Sequence, residues 1–298
     1  MSANNNIAKR DTEAQLNTFV RGIFEKERNN EYHVYFYRAV KENEIAGVFA
    51  NYGENPIYDV LTETGDDIFS TYEKTVDAYK MIMGDWDFDI LIRCNISCYI
   101  NIGLLDKVIN DDYNREMIVA NSINSIITLG EYANDLYARG DFYIIHRELL
   151  ERTLKTTDLL YNLPITRLDH VDDVLLGVNV IYALGDDYCD NLKSCLYTFI
   201  PYDVPNVLNA YSLSFRLKTC PEGTRYSGYG WDNEEVRMKD VEKFHKVHDY
   251  IKDVEYDDDI LLEQLLYSDD EAKEVIRVSA KNVGLDVAKE MVKKKRAK

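Results

Sequence analysis

The sequence has 298 residues, of which 46% are hydrophobic and 30% are charged, and its formal net charge is −18. This balance is typical of a globular chain that buries a core, either as two domains or as one larger α/β domain with an appendage. The negative charge argues against broad binding to nucleic acid, because a phosphate backbone attracts a basic surface.

The sequence also indicates the cellular compartment in which the protein is expected. Its first residues contain no apolar run that resembles a signal peptide, and no stretch of about 20 apolar residues would span a membrane. The five cysteines are an odd number without CxxC spacing, which favours reduced thiols over a disulfide framework or a zinc site. We therefore expect a cytoplasmic protein, in the host cytoplasm if the chain is viral. The sequence gives no indication of oligomeric state.

Apolar periodicity and turn residues divide the chain into helices and strands. In chain order they predict a helix over 11–28, a strand over 31–38, a loop over 41–56, a strand over 57–62, a helix over 68–83, a strand over 88–94, a helix over 103–110, strands over 117–127 and 136–145, helices over 146–156 and 174–184, strands over 196–200 and 212–218, a mobile loop over 220–233, and helices over 233–252 and 261–294. Asp11 and Thr12 are expected to cap the first helix. The alternation indicates an α/β domain over 1–230, with a mixed sheet flanked by helices. A helical extension with a basic tail would follow over 231–298.

Polar side chains follow the buried strand over 88–94. Arg93, Asn95 and Ser97 stand where open α/β sheets bind ligands, and we expect Arg93 and Asn95 to lie outside the core. Arg38, at the end of an earlier strand, is placed to reach a phosphate or a base. The simpler alternative for these residues is a strand end whose polar groups meet water.

Two adjacent acids, Asp172 and Asp173, begin an apolar helix, where the helix dipole favours negative charge. One acid is enough for an N-cap. The second acid fits a general base that projects into a cleft. Gly140 lies within an apparent strand, where glycine indicates the close approach of another group.

Several common catalytic motifs are missing from the sequence: GxGxxG, GxxxxGK[ST], HExxH and GxSxG. His245 and His248 stand three positions apart, a spacing that can bind metal, but surface histidines are the simpler interpretation.

Four stretches, at 67–80, 88–101, 137–148 and 172–177, occur in the order of a known family. They resemble its acidic-aromatic helix start, its DxD-bearing strand, its Y-x-x-G acceptor segment and its [ED]-D-V-x-x-G base motif. The family is the β-1,3-galactosyltransferase/Fringe-like branch of the GT-A glycosyltransferases, in particular the short soluble forms of viruses and bacteria. The resemblance spans about residues 31–218 and implies a GT-A-like, Rossmann-like fold for the domain over 1–230.

The resemblance also implies an inverting mechanism. Asp173 would be the base that deprotonates an acceptor hydroxyl, and Asp172 would hold the start of the helix. The donor would be a UDP- or GDP-sugar, and the acceptor a glycan or glycoconjugate. The implied donor-binding residues are Arg38, Asp67, Tyr72, Arg93, Asn95 and Ser97, and the implied acceptor-side residues are Gly140 and Asp141.

The chain departs from the family at the DxD motif, where it has Asn95 and Ser97. An amide and a hydroxyl are poor ligands for Mn²⁺ or Mg²⁺, which prefer carboxylates. Three outcomes remain open: no metal, a weakly bound metal held mainly by the donor diphosphate, or a non-catalytic relative. We favour the first, with Arg93, Arg38, Arg216 or Lys218 neutralising the diphosphate.

The sequence thus predicts an inverting glycosyltransferase. One alternative is a binding or scaffold protein on a transferase fold that has lost catalysis. The other is a phage-type enzyme that glycosylates DNA bases, against which the negative charge counts.

Overall fold

The computed structural model describes residues 6–26, 28, 30–65, 70–109, 115–121, 123–125, 136–157, 172–200, 203–206, 208–219 and 234–267. Its helices are α1 (Asn6–Gln15), α2 (Arg21–Glu25), α3 (Thr71–Asp85), α4 (Ile102–Val108), α5 (Arg147–Lys155), α6 (Asp172–Leu184), α7 (Tyr188–Asn191) and α8 (Glu234–Ile251). Its strands are β1 (Val34–Ala39), β2 (Gly47–Ala50), β3 (Ile57–Thr62), β4 (Ile90–Cys94), β5 (Cys98–Ile100), β6 (Ile118–Ala120), β7 (Ile123–Ser125), β8 (Leu136–Ala138), β9 (Phe142–His146), β10 (Leu192–Cys195), β11 (Tyr197–Phe199), β12 (Ser214–Arg216) and β13 (Leu266–Tyr267). A π-helical turn (Leu16–Val20) joins α1 to α2, and 3-10 turns cover Gly185–Asp187 and Leu262–Leu265.

The described residues pack as two compact units, each assembled from separated stretches of chain. Unit 1 takes those within Tyr32–Cys94 and Tyr113–Lys193, and unit 2 takes those within Asn5–Glu31, Asn95–Asp112 and Ser194–Lys298. The contiguous division at residue 230 that we expected from the sequence stays a prediction.

Unit 1 contains a mixed three-stranded sheet with β3 in the centre. β1 runs parallel to β3, with Val34 opposite Ile57, and β2 runs antiparallel to it, with Val48 opposite Val60. β2 lies within the stretch that we predicted as a loop, so that prediction is wrong there. β2 is four residues long and half exposed, and so short a strand carries too little hydrophobic alternation to stand out in a sequence.

A second sheet in unit 1 places β9 between β4 and β6, with both pairings antiparallel. All five residues of β9 are buried, as the run of aromatic and β-branched residues FYIIH favours. The amphipathic helix α5 follows β9 directly and buries Leu149 and Leu150 fully. Each such side chain contributes about 1.5–3 kcal/mol when it leaves water.

Unit 2 contains a three-stranded sheet in which β12 pairs in parallel with β11 and antiparallel with β5. Asn101 begins α4 by accepting a hydrogen bond from the Leu104 amide on its side chain. The Asn101 amide group also donates to the Ala210 carbonyl and to the Tyr256 hydroxyl, each at 2.8 Å. This fully buried side chain therefore links three separated stretches of unit 2.

The structure confirms a mixed α/β protein with mixed sheets flanked by helices. β3 has both of its predicted bounds, whereas the strand predicted over 117–127 is two short strands, β6 and β7. The helix predicted over 261–294 is instead a 3-10 turn followed by β13 in its described part, and residues 268–298 lie outside the described residues. The loop predicted over 220–233 also lies outside them. Within the described ranges, no helix is both long enough and apolar enough to cross a membrane.

Candidate functional site

The structure brings three of the predicted stretches together in unit 1. Arg93 lies on β4 and Gly140 in the turn between β8 and β9, while Asp172 and Asp173 form the first turn of α6. The antiparallel register places Arg93 opposite Tyr143, so the end of β4 lies beside the turn that precedes β9. Residues from positions 93, 140 and 172–173 therefore meet at one point.

Arg93 is the centre of this cluster. One guanidinium nitrogen, Nη1, donates to the Gly140 carbonyl, and the other, Nη2, donates to Asp172 Oδ2. The guanidinium carbon lies 5.6 Å from the centre of the Tyr143 ring, a cation–π distance. The residue is only 4% exposed. Our expectation that Arg93 lies outside the core is therefore wrong, because its charge is paired inside unit 1 and needs no water.

Asp172 is buried and held from two sides. Besides Arg93, the Thr75 hydroxyl contacts Asp172 Oδ2 at 3.3 Å, and the Tyr37 hydroxyl lies 3.2 Å from that of Thr75. The pairing with Arg93 leaves Asp172 as a fixed partner of the guanidinium at the start of α6.

Asp173 has different surroundings, although it is the next residue. Its carboxylate is partly buried and accepts hydrogen bonds from the Gly140 amide on Oδ2 and the Val174 amide on Oδ1, both at 3.0 Å. Burial, reinforced by the negative charge of Asp172, raises the pKa of Asp173 to about 6. Such a carboxyl group is ionised at neutral pH but accepts a proton more readily than an ordinary aspartate, as a general base requires.

Gly140 confirms the predicted close approach. A Cβ atom on this residue would lie far inside van der Waals contact with Arg93 Nη1 and 3.0 Å from Asp173 Cβ. Gly177, the glycine of the DDVxxG stretch, is similar, since its Cβ would lie 2.5 Å from Tyr137 Cβ. The two glycines therefore let the chain from β8 to β9 pack directly against α6.

Sequence reasoning missed the hydroxyl groups beneath the cluster. The hydroxyls of Tyr79 and Tyr143 form a hydrogen bond, and burial raises the pKa of both, so both stay neutral. Tyr79 lies on α3 and is buried in the core of unit 1. A sequence contains no signal for its proximity to Arg93, which depends on how α3 packs against the sheet.

Other predicted site residues of unit 1 lie elsewhere or are already engaged. Arg38 is ion-paired with Glu44, with 2.7 Å between Nη2 and Oε1. Tyr72 is buried and its hydroxyl accepts a hydrogen bond from the Asn179 side chain. Asp141 is 6% exposed, with an oxygen 3.9 Å from Arg139 Nε. Asp67 lies outside the described residues.

Four predicted residues belong to unit 2 rather than unit 1: Asn95, Ser97, Arg216 and Lys218. Arg216 and Lys218 are both buried, and Arg216 Nη1 lies 3.3 Å from Cys98 Sγ. These cations are therefore packed inside unit 2.

The altered DxD position does not fit a divalent metal ion. Asn95 Oδ1 faces the amide and the hydroxyl of Ser97, at 3.4 and 3.5 Å, and Ser97 is buried. These neutral groups are directed at each other, whereas Mn²⁺ and Mg²⁺ prefer carboxylates. The described part of the chain also contains no cluster of three histidine, cysteine or acidic side chains suited to a metal ion.

Comparison with known proteins gives no family, since no protein-family model and no curated protein matches the chain.

Proposed function

We propose that the chain is an inverting glycosyltransferase with a GT-A-like fold, which transfers a sugar from a UDP- or GDP-sugar to a glycan hydroxyl in the cytoplasm. The observation that supports it is the environment of Asp173. The family resemblance assigns Asp173 as the base, and its pKa is raised, as a base requires. Its carboxylate also accepts a hydrogen bond from the amide of Gly140, which lies in the stretch assigned to the acceptor. Three stretches that resemble the family in sequence thus meet in space.

The proposed reaction is a single displacement. The Asp173 carboxylate accepts the proton of the acceptor hydroxyl as its oxygen forms a bond to the anomeric carbon. The bond from that carbon to the diphosphate oxygen breaks on the opposite face, and the nucleoside diphosphate leaves with the electron pair. The configuration of the sugar inverts, and Asp173 then returns its proton to water.

The Arg93–Asp172 pair supports Asp173 without taking part in the displacement. An unpaired arginine beside Asp173 would lower its pKa and weaken it as a base. Because the guanidinium is shared with Asp172, its attraction is largely offset, and the pKa of Asp173 stays raised.

The diphosphate needs a different cation, since Arg93 is buried and its partner Asp172 is buried with it, whereas the ion pair of Arg38 with Glu44 is partly exposed. Within unit 1 the proposed group is Arg38, at the end of β1. Both of its terminal nitrogens bind the Glu44 carboxylate, which is the fork geometry that also suits a phosphate. We propose that the diphosphate replaces Glu44 as the partner of Arg38. No step of this mechanism uses a metal.

A second candidate is a binding protein on a transferase-like fold that has lost catalysis. The observation that favours it is that Arg93 and Asp172 neutralise each other inside unit 1, as a purely structural ion pair does. On this reading Asp173 only holds the turn at Gly140 against the start of α6 and has no substrate.

The test is a thermal-shift panel of UDP-, GDP- and dTDP-sugars, each measured with EDTA and with Mn²⁺. A donor that binds the folded state raises the melting temperature as its concentration exceeds the dissociation constant. The same donors are then assayed for release of nucleoside diphosphate, alone and with glycan or DNA acceptors.

A shift that survives EDTA, together with release of diphosphate, would support the metal-independent transferase. A shift that requires Mn²⁺ would contradict the proposal for Arg38. Binding without release in any mixture would favour the binding protein. If no donor shifts the melting temperature and no mixture releases nucleoside diphosphate, the transferase proposal is overturned.

A further inference from the structure

A row of stacked aromatic rings lies at the end of α3 in unit 1. Trp86 is the first residue after this helix, and its ring lies 3.8 Å from the ring of His33, with 23° between the two planes. His33 stacks in turn on Tyr58, at 5.8 Å, and Tyr58 stacks on Tyr35, at 5.0 Å. Tyr35 and Tyr58 stand opposite each other on β1 and β3. Trp86 therefore ends a row of rings that the sheet holds in place.

The Trp86 side chain is fixed and yet exposed. Its amide donates to the Ile82 carbonyl at 3.0 Å, and its carbonyl accepts from Arg147 Nη1 at 2.9 Å. The residue is 39% exposed, although His33 covers one face of the ring. The indole thus presents aromatic surface to water in a position that its neighbours have already set.

Exposed carboxylates stand on both sides of Trp86 in the chain, Asp85 before it and Asp87 after it. Asp85 Oδ2 accepts a hydrogen bond from the Tyr35 hydroxyl at 3.0 Å, which keeps this carboxylate beside the row of rings. In the part of the chain that the structure describes, no lysine or arginine forms an ion pair with Asp85. The side chain of Asp87 is 98% exposed, so its pairing with Arg147, at 3.4 Å, leaves most of it open to a ligand.

This part of unit 1 already binds an arginine of the chain itself. The guanidinium carbon of Arg147 lies 5.0 Å from the centre of the Phe88 ring, a cation–π distance, while Nη1 lies 3.4 Å from Asp87. An aromatic ring and an aspartate together hold this guanidinium. Trp86, two positions before Phe88, has the same combination of ring and acid, with Asp85.

The charge around Trp86 selects the kind of ligand. The face of an aromatic ring is negative, and so are Asp85 and Asp87, so a phosphate or a nucleic acid would be repelled. A quaternary ammonium group is typically bound in a cage of several rings, whereas these rings are stacked in one row. A guanidinium group is planar, stacks on a single ring and is only weakly hydrated, so it fits this surface best.

We propose that Trp86, with Asp85 and Asp87, is a docking site for an arginine side chain of a partner protein. The guanidinium stacks on the exposed part of the indole, and the two carboxylates balance its charge. The net charge of −18 attracts a basic segment of the partner towards the chain. This site lies in unit 1 and does not depend on the proposed transfer reaction.

The experiment is a fluorescence titration of the full chain carrying Trp231→Phe, which leaves Trp86 as its one tryptophan. The probe is the peptide acetyl-Gly-Arg-Gly-Arg-Gly-amide. The reference is the same peptide with citrulline in place of arginine, which keeps the planar shape and removes the charge. We expect the arginine peptide to change the Trp86 emission saturably, with a dissociation constant roughly tenfold lower than that of the citrulline peptide.

Two variants and a control locate the site. In Asp85→Asn the side-chain oxygen still accepts from Tyr35 but carries no charge, so the dissociation constant should rise by roughly threefold to tenfold. Trp86→Leu, measured by calorimetry, should abolish binding of the arginine peptide. Phe49→Leu removes another aromatic side chain of unit 1 that is also 39% exposed, and it should bind like the parent chain.

Equal affinity for the arginine and citrulline peptides would overturn the proposal, and so would unchanged affinity in Asp85→Asn and Trp86→Leu. Tighter binding of a neutral oligosaccharide than of the arginine peptide would assign the ring to a glycan and would also overturn it. If Trp231→Phe does not fold, calorimetry of the wild type against Trp86→Leu makes the same comparison.

Discussion

Arg93 and Asp172, which are 79 positions apart in the chain, form an ion pair inside unit 1. The pair joins the end of β4 to the first turn of α6. Because Arg93 also binds the Gly140 carbonyl, the same guanidinium positions the peptide whose amide group binds Asp173. One buried cation thus fixes both the acid beside the proposed base and the turn that contacts the base.

The first prediction concerns the stability that this pair provides. Arg93→Leu leaves Asp172 buried without its cation, so we expect the free energy of unfolding to fall by about 3–5 kcal/mol. Urea denaturation measures the change. The double variant Arg93→Leu with Asp172→Leu should recover part of the loss, since it removes both charges.

Arg115→Leu is the matched control for Arg93. Arg115 pairs with Glu148 at the surface, where both side chains are more than half exposed, and such pairs contribute little. We expect a change within about 0.5 kcal/mol. If Arg93→Leu lowered the free energy of unfolding as little as Arg115→Leu does, the buried pair would not stabilise the fold.

The second prediction concerns the proposed base. Asp173→Asn should abolish transfer and leave donor binding nearly unchanged, with only a small fall in the melting temperature, because the single asparagine oxygen replaces one of the two acceptors that bind the Gly140 and Val174 amides. Nucleoside diphosphate release and thermal shift measure the two effects separately. Asp186→Asn, in the exposed turn after α6, should behave like the wild type. Full transfer activity in Asp173→Asn would refute the assignment.

The third prediction is the pH profile of transfer. Burial raises the pKa of Asp173 to about 6, so the fraction of ionised base grows as the pH rises through that value. The rate should increase by roughly tenfold between pH 5 and pH 7 and then level off. Initial rates at saturating donor measure it. A rate that does not change above pH 5 would show that ionisation of Asp173 with a pKa of about 6 does not control the rate.

The same raised pKa has an opposite effect on stability. Asp173 holds its proton more tightly in the folded state, so its contribution to stability decreases as the pH rises from about 4 to about 6. In Asp173→Asn this part of the pH dependence of the melting temperature should disappear.

The fourth prediction concerns the close approach at Gly140. Gly140→Ala adds a methyl group that overlaps the Arg93 guanidinium, so either Arg93 or the turn must move. We expect a loss of transfer of at least tenfold and a stability loss of about 1–3 kcal/mol. Activity assays and urea denaturation measure both.

Gly84→Ala is the control for the glycine substitution. Nothing lies within 4 Å of a Cβ at Gly84, which is near the end of α3, and alanine is the better helix former. We expect stability to be unchanged or higher. A similar loss in both variants would show that the crowding around Gly140 has no special effect.

Part of the candidate site could be predicted because its signals are local. The two acids at the start of α6 and the glycine before β9 stand out in the sequence, and the structure places them in contact. Arg93 was predicted as a site residue but with the wrong surroundings. The polar residues next to it in the chain indicated that Arg93 contacts water, whereas its partners in the structure are Gly140 and Asp172.

The first helix shows the same limit. Asp11 was expected to cap a helix that begins there, but α1 begins at Asn6, so Asp11 lies within the helix and faces α8. A buried acid inside a helix has the same sequence pattern as a capping acid, and only its partner on a distant helix distinguishes them.

The sequence by itself determined the class of the protein, a mixed α/β chain, and its hydrophobic periodicity and turn residues predicted helices such as α5 and α8 and strands such as β3. Tertiary structure alone decided which charges are buried and paired, as Arg93 is with Asp172 and Arg237 with Asp11. Periodicity depends on residues three or four positions apart, which the chain itself holds together. Ion pairing and pKa depend on groups that are brought together by strand register and helix packing, over separations of 79 and 226 positions.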